Sequence, residues 1–172
     1  MRKQWKALTY SQIARGMELC HENTHRLLRG AGIALRNRSW AGAVFQSVLA
    51  MEEQGRLVIL YEAYIDGITI DEEWWRTMFG DHKTKIALLA AAFFIQKKQR
   101  KWTKTLRRLG SEFQELKELS MYVDYQTQRA QWSHPGRITE KKAHQVFKTA
   151  VEFIKGTEAL MSEEEDEAQE NG

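Results

Sequence analysis

The chain is organised around the stretch from Ser39 to Asp66, SWAGAVFQSVLAMEEQGRLVILYEAYID. Its apolar residues recur at helical spacing and predict one long helix that stops before Gly67. Glu52 lies seven residues after Phe45 and seven before Ile59, so its carboxylate shares their face. A carboxylate in an apolar stripe is costly unless it is paired or hydrogen-bonded. We therefore expect another part of the chain to supply a partner for Glu52.

The composition indicates one soluble helical domain. The 172 residues include six Trp and seven Phe, enough bulk for a core, and a single Pro, which favours uninterrupted helices. The single cysteine, Cys20, excludes an internal disulfide and is typical of a reducing cytosol. The N-terminus has no apolar run behind its charges, and the longest apolar run, 86–95, is too short to span a bilayer. These features predict a cytoplasmic protein with no membrane segment.

The charge is unevenly distributed along the chain. The net charge is +3, but residues 162–172 hold six acids, and the rest carries 26 cations against 17 acids. A basic body of this kind favours an anionic partner such as RNA or DNA, although solubility alone would also explain it. We predict a basic lead-in over 1–8, a helical domain over 9–161 and a disordered acidic tail over 162–172.

The other helices follow from the same periodicity. A first helix, capped by Thr9 or Ser11, runs to about Asn37 and forms an antiparallel hairpin with the Ser39–Asp66 helix. A short helix starts at the acidic run after Asp71, and a last one spans 139–154. Residues 122–135 read as a loop with aromatic anchors. The predicted buried stripe of the first helix is Ile13, Met17, Cys20, Thr24, Leu27, Ala31 and Ala34.

A further helix begins near Asp81, with His82, Ile86 and Leu89 on its inner face and Lys83 and Lys85 pointing more outward. The stretch 83–111 contains nine cations and no acid. It is either a phosphate-tracking surface around Trp102 or an ordinary solvated helix face. The candidate RNA-binding residues are Lys85, Lys97, Lys98, Arg100, Lys101 and Lys104.

Four segments together resemble the AbiV family of abortive-infection proteins, within the HEPN superfamily. They are GMELCHENTHRLL in the first helix, the run from Leu49 to Arg56 with its two glutamates and glycine, the HKTK run at 82–85, and MYVDY at 121–125. Arg56 stands where lysine is more usual in the family, which keeps the charge but not its geometry. The resemblance implies an all-α, HEPN-like antiparallel helical bundle, homodimerisation and a role in shutting down an infected cell.

Many HEPN proteins are metal-independent ribonucleases whose motif is an arginine, four to six residues, and a histidine. Histidine serves as acid or base near neutral pH, and arginine grips a phosphate. Four Arg/His pairs in this sequence have this spacing. That number is larger than chance predicts, but the spacing does not show which of the pairs is the motif. They are Arg15/His21, Arg76/His82, Arg129/His134 and Arg137/His144.

Glu52 and His82 are the leading candidates, as an orienting carboxylate and a general acid or base, with Arg76 or Lys83 on the phosphate. Asn23, Arg26, Glu53 and Arg56 would support them. The alternative is a buried Glu–His or Glu–Lys contact that fixes helix register without catalysis. The protein would then be an interaction module that binds RNA, a phage-encoded trigger or a component of the host translation machinery.

No cofactor is implied by these motifs. His21 and His25 lie four residues apart on one helix face, a spacing that suits two metal ligands. Apart from the adjacent Cys20, no further Cys or His lies nearby in the sequence, so we predict no metal site. Trp74 and Trp75 are more typical of core or dimer anchors than of base-stacking residues.

Overall fold

Helix α2 (Trp40–Ile65) lies at the centre of the fold, and the other helices are arranged around it. The structure, a computed structural model, describes residues 6–80, 82–96, 103–121, 125–126, 131–132 and 134–170. The described residues form an all-α fold, as predicted. The remaining helices are α1 (Tyr10–Arg36), α3 (Glu72–Phe79), α4 (His82–Gln96), α5 (Thr103–Met121) and α6 (Glu140–Glu170).

Helix α1 begins and ends where its sequence signals predict. The Thr9 hydroxyl accepts a hydrogen bond from the backbone N–H of Gln12, and the Gln12 side chain accepts one from the N–H of Thr9, which completes a capping box. After Arg36 the chain turns through Arg38, whose φ is +56°, and enters α2 antiparallel to α1. The predicted stripe is confirmed, with Met17 only partly buried.

Helix α2 is buried on more than the single predicted stripe. Its core-facing positions from Ala43 to Tyr61 cover most of its circumference, because α1, α4, α5 and α6 all contact it. It ends before Gly67, whose φ of +64° confirms the predicted stop. A helix surrounded on most sides in this way places several of its polar residues, including Ser47, Glu52 and Gln54, in the interior.

Helix α4 crosses α2 with its backbone close to Gly55. A Cβ added at Gly55 would overlap the carbonyl oxygen of Lys85 and lie 2.7 Å from its carbonyl carbon. Only a glycine permits this approach, which brings Ile86 and Leu89 fully into the core as predicted. Before α4, the side chain of Asp71 accepts from the N–H of Trp74 and caps the acidic start of α3.

The C-terminal part of the chain contains a minimal hairpin and a long helix. Tyr125–Gln126 pairs antiparallel with Gln131–Trp132 inside the predicted loop. Helix α6 begins at Glu140 and continues past Ile154, the predicted end, to Glu170. The side chains after Glu163 lie outside the described residues, so the disorder of 162–172 stays a prediction. None of the described helices has a stretch apolar and long enough to cross a bilayer.

Candidate functional site: a charged cluster between α2, α4 and α5

A buried partner of Glu52 comes from α5. The ammonium of Lys117 lies 2.6 Å from Oε1 of Glu52, and both side chains are buried, with 7% and 5% exposure. Lys117 follows the buried Phe113 by four residues and precedes the buried Ser120 by three. Lys117 therefore interrupts the apolar face of α5, as Glu52 interrupts the apolar face of α2. The sequence analysis did not single out Lys117.

Lys85 is a second buried cation, and the prediction that it points outward is wrong. Its residue exposure is 2%, and its ammonium donates a hydrogen bond to the backbone carbonyl of Phe79 at 3.2 Å. Burial lowers the pKa of Lys85 below its usual value, and the Arg56 cation lowers it further, against the opposing charges of Glu52 and Glu53. This ammonium lies in the interior and not on the surface that an RNA would contact.

Arg56 lies at the edge of this cluster, where a third of its side chain is exposed. Its guanidinium is 2.9 Å from Oε1 of Glu53 and 5.7 Å from the ring centre of Phe79. Together Glu52, Glu53, Arg56, Lys85 and Lys117 form what we call the charged cluster. It holds three cations and two carboxylates, so its positive charge exceeds its negative charge by one.

Cys20, on α1, faces the same region and should be chemically inert in the folded protein. The residue is 6% exposed, and burial, reinforced by the nearby Glu53 carboxylate, raises the pKa of its thiol to about 11. At neutral pH the thiol stays protonated, and the thiolate is the reactive species. We expect the native protein to react with a thiol-specific reagent far more slowly than protein unfolded in guanidinium. Equal rates in both states would contradict this burial.

Three of the four catalytic candidates, Arg76, His82 and Lys83, lie around the α3–α4 junction. His82 is the first residue of α4, but its side chain and that of Lys83 lie outside the described residues, so the Glu52–His82 contact stays a prediction. Arg76, on α3, is 77% exposed and its guanidinium lies 2.6 Å from the Glu72 carboxylate. Within the described part of the chain, no ion pair links Arg76 to the charged cluster.

The other predicted residues are more scattered. Asn23 and Arg26 are hydrogen-bonded to each other on α1. The Arg26 guanidinium donates to Oδ1 of Asn23 at 2.6 Å. Four of the candidate RNA-binding residues, Lys97, Lys98, Arg100 and Lys101, lie outside the described residues, as does the side chain of Lys104. Their role stays a prediction.

The four Arg/His pairs differ in their structural setting. Arg15 and His21 lie on the continuous helix α1, which separates them by about 9 Å along the axis. Arg76/His82 spans the α3–α4 junction, and Arg137/His144 spans the start of α6. Arg129 lies outside the described residues, and Nδ1 of its partner His134 accepts from the N–H of Gly136. The first pair therefore lies within one helix, whereas Arg76/His82 and Arg137/His144 are each divided between two elements.

Comparison with known proteins identifies the class of this bundle. The AbiV model of the HEPN group matches residues 12–155, from the first turn of α1 into α6. An all-α bundle with this match is an abortive-infection protein of the HEPN type. The chain belongs to the AbiV family, which confirms the resemblance found in the sequence. No curated protein and no solved structure matches it significantly.

Proposed function

We propose that this AbiV-family protein is a cytoplasmic antiphage effector that cleaves RNA as a homodimer without a metal ion. His82 would act as general acid or base, and Arg76 or Lys83 would hold the phosphate. Attack by the ribose 2′-hydroxyl on the adjacent phosphate then needs only proton transfer and charge stabilisation. Family membership supports the defence role, and the setting of the α3–α4 junction supports the site.

The observation that carries the site is the hydrogen bond from the Lys85 ammonium to the carbonyl of Phe79. It links Lys85, in the first turn of α4, to Phe79, the last residue of α3. Arg76 lies in α3 just before Phe79, and His82 is the first residue of α4. The charged cluster thus fixes the segment that holds both residues, so its members are positioning residues in this proposal.

Arg76 is also available to a ligand. Its side chain is 77% exposed, and its only described ion pair is with Glu72, four residues earlier. An exposed pair of this kind stabilises by about 0–1 kcal/mol, so a phosphate that accepts two hydrogen bonds from a guanidinium can displace it.

A panel of histidine variants tests the proposal. The four histidines of the Arg/His pairs are His21, His82, His134 and His144, and His25 is the one histidine with no arginine at the required spacing. We expect His82→Ala to lower cleavage of total cellular RNA by at least about a hundredfold, as loss of a general acid or base does. His25→Ala and His144→Ala should leave it unchanged.

Two outcomes would contradict the proposal. One is the absence of cleavage by the unmodified protein, and the other is cleavage that His82→Ala does not change. Mixing His82→Ala with Arg76→Ala protomers tests the dimer. If each site takes residues from both chains, the mixture regains part of the activity that each variant lacks alone.

An apolar surface favours a second candidate, a non-catalytic interaction module. Tyr10 and Tyr64 contact edge to face with centroids 5.6 Å apart, and they are 60% and 40% exposed beside Ile65 and Ile68, which are 57% and 38% exposed. Exposed apolar groups in one place are typical of protein-binding surfaces. Toxicity on expression discriminates the two candidates, because a folded His82→Ala variant stays toxic only if binding is responsible.

A further inference from the structure

A separate polar group lies where α1 meets α6, away from the charged cluster. His21 and His25 share one face of α1, with ring centres 4.5 Å apart, and Glu158 reaches them from α6. Nε2 of His25 is 2.9 Å from Oε1 of Glu158, and Nδ1 of His21 is 3.6 Å from the same oxygen. One ligand atom from each residue lies within 4.8 Å of the other two.

We propose that His21, His25 and Glu158 bind a divalent transition-metal ion of the zinc type. Two imidazole nitrogens and one carboxylate oxygen are a donor set that such ions prefer. Ligand atoms around a tetrahedral zinc lie about 3.3 Å apart, since each is about 2 Å from the ion. The distances to Glu158, 2.9 and 3.6 Å, bracket this value, so the carboxylate oxygen is already spaced from both imidazoles as a zinc ion requires.

The turn of α6 that carries Glu158 is hydrogen-bonded to α2. Thr157, next to Glu158, is fully buried and accepts a hydrogen bond from Nε2 of Gln54 at 3.0 Å. On the other side, the backbone carbonyl of Met161 accepts from the Tyr61 hydroxyl at 3.2 Å. These two bonds fix the turn of α6 that carries Glu158, and a site fixed in this way loses little entropy on binding.

The site is open on its outer side. The side chains of His21, His25 and Glu158 are 51%, 38% and 27% exposed, which leaves room for water as a fourth ligand. The ion would join α1 to α6 and stabilise the bundle, because metal affinity for the folded state adds to its stability. This inference does not depend on the proposed ribonuclease activity, which needs no metal.

Calorimetric titration of the tag-free, metal-depleted 172-residue chain with zinc tests the site. We expect one zinc ion per chain and a higher melting temperature with zinc, and no effect of magnesium, which prefers oxygen ligands. Glu158→Gln keeps the size of the side chain, and it should weaken zinc binding by at least about tenfold, as should His21→Ala and His25→Ala.

His144→Ala is the matched control. His144 and Glu140 also form a histidine–glutamate pair, with 4.0 Å between Nε2 and Oε1, but no third ligand joins them among the described residues. The zinc affinity of the His144→Ala variant should equal that of the unmodified protein. No zinc binding at millimolar concentration, or equal binding by all four variants, would overturn the proposal. Circular dichroism of each variant shows whether a loss of binding reflects unfolding, and a folded variant that has lost binding supports the site.

Discussion

Lys117→Met should lower the free energy of unfolding by about 3–5 kcal/mol, the usual effect of removing one partner from a buried ion pair. Glu52 and Lys117 are less than 10% exposed, so water cannot replace the lost ammonium at the Glu52 carboxylate. Chemical denaturation followed by circular dichroism measures the change.

Two further variants make this result specific. The double variant Glu52→Met/Lys117→Met removes both charges, and it should recover most of the loss, because apolar residues of similar volume replace buried pairs at little cost. Lys148→Met breaks an exposed Lys–Glu pair, with side chains 79% and 54% exposed, and should change stability by less than about 1 kcal/mol. If Lys117→Met resembled Lys148→Met, the burial of the Glu52–Lys117 pair would be refuted.

Gly55→Ala should destabilise the protein by about 1–3 kcal/mol or more, although alanine normally favours a helix. The added methyl would overlap the backbone carbonyl of Lys85, which cannot rotate away as a side chain can. Helix α4 must therefore move away from α2. Because α4 begins at His82, we also expect the proposed RNA cleavage to fall in this variant. Thermal unfolding and the cleavage assay measure the two effects.

Gly32→Ala is the control for this substitution. Gly32 is also inside a helix, but a Cβ there would meet its nearest neighbours at 3.8 and 3.9 Å, which is ordinary van der Waals contact. Alanine should be neutral or stabilising at this position by up to about 1 kcal/mol. A Gly55→Ala protein as stable as Gly32→Ala would contradict the close crossing of α2 and α4.

The sequence predicted the helices well because their signals are local. The capping residues Thr9 and Asp71, the stripe of α1 and the stop at Gly67 each depend on a few neighbouring residues. The predicted end of α6 at Ile154 is wrong, since Gly156 does not stop the helix and the chain continues to Glu170.

The candidate site was harder to predict, because it depends on how helices are placed against each other. Spacing showed that Glu52 needed a partner, but 65 residues separate it from Lys117. The helical pattern predicts that Lys85 points outward, but this residue lies four residues before the buried Leu89 and so on the same face. In the proposed metal site, 133 residues separate His25 from Glu158, and no local pattern joins them.

The route of α6 has a practical consequence for fusion proteins. The first residue of α1, the last turn of α2 and Met161 of α6 lie at one end of the bundle, since the Tyr61 hydroxyl reaches the Met161 carbonyl and Tyr10 contacts Tyr64. The α1–α2 turn lies about 40 Å away along the 27-residue α1. A reporter inserted at the α1–α2 turn would leave the end of the bundle with Tyr10 and Tyr64 accessible. A reporter fused just after Met161 would lie close to these residues and hinder access to them.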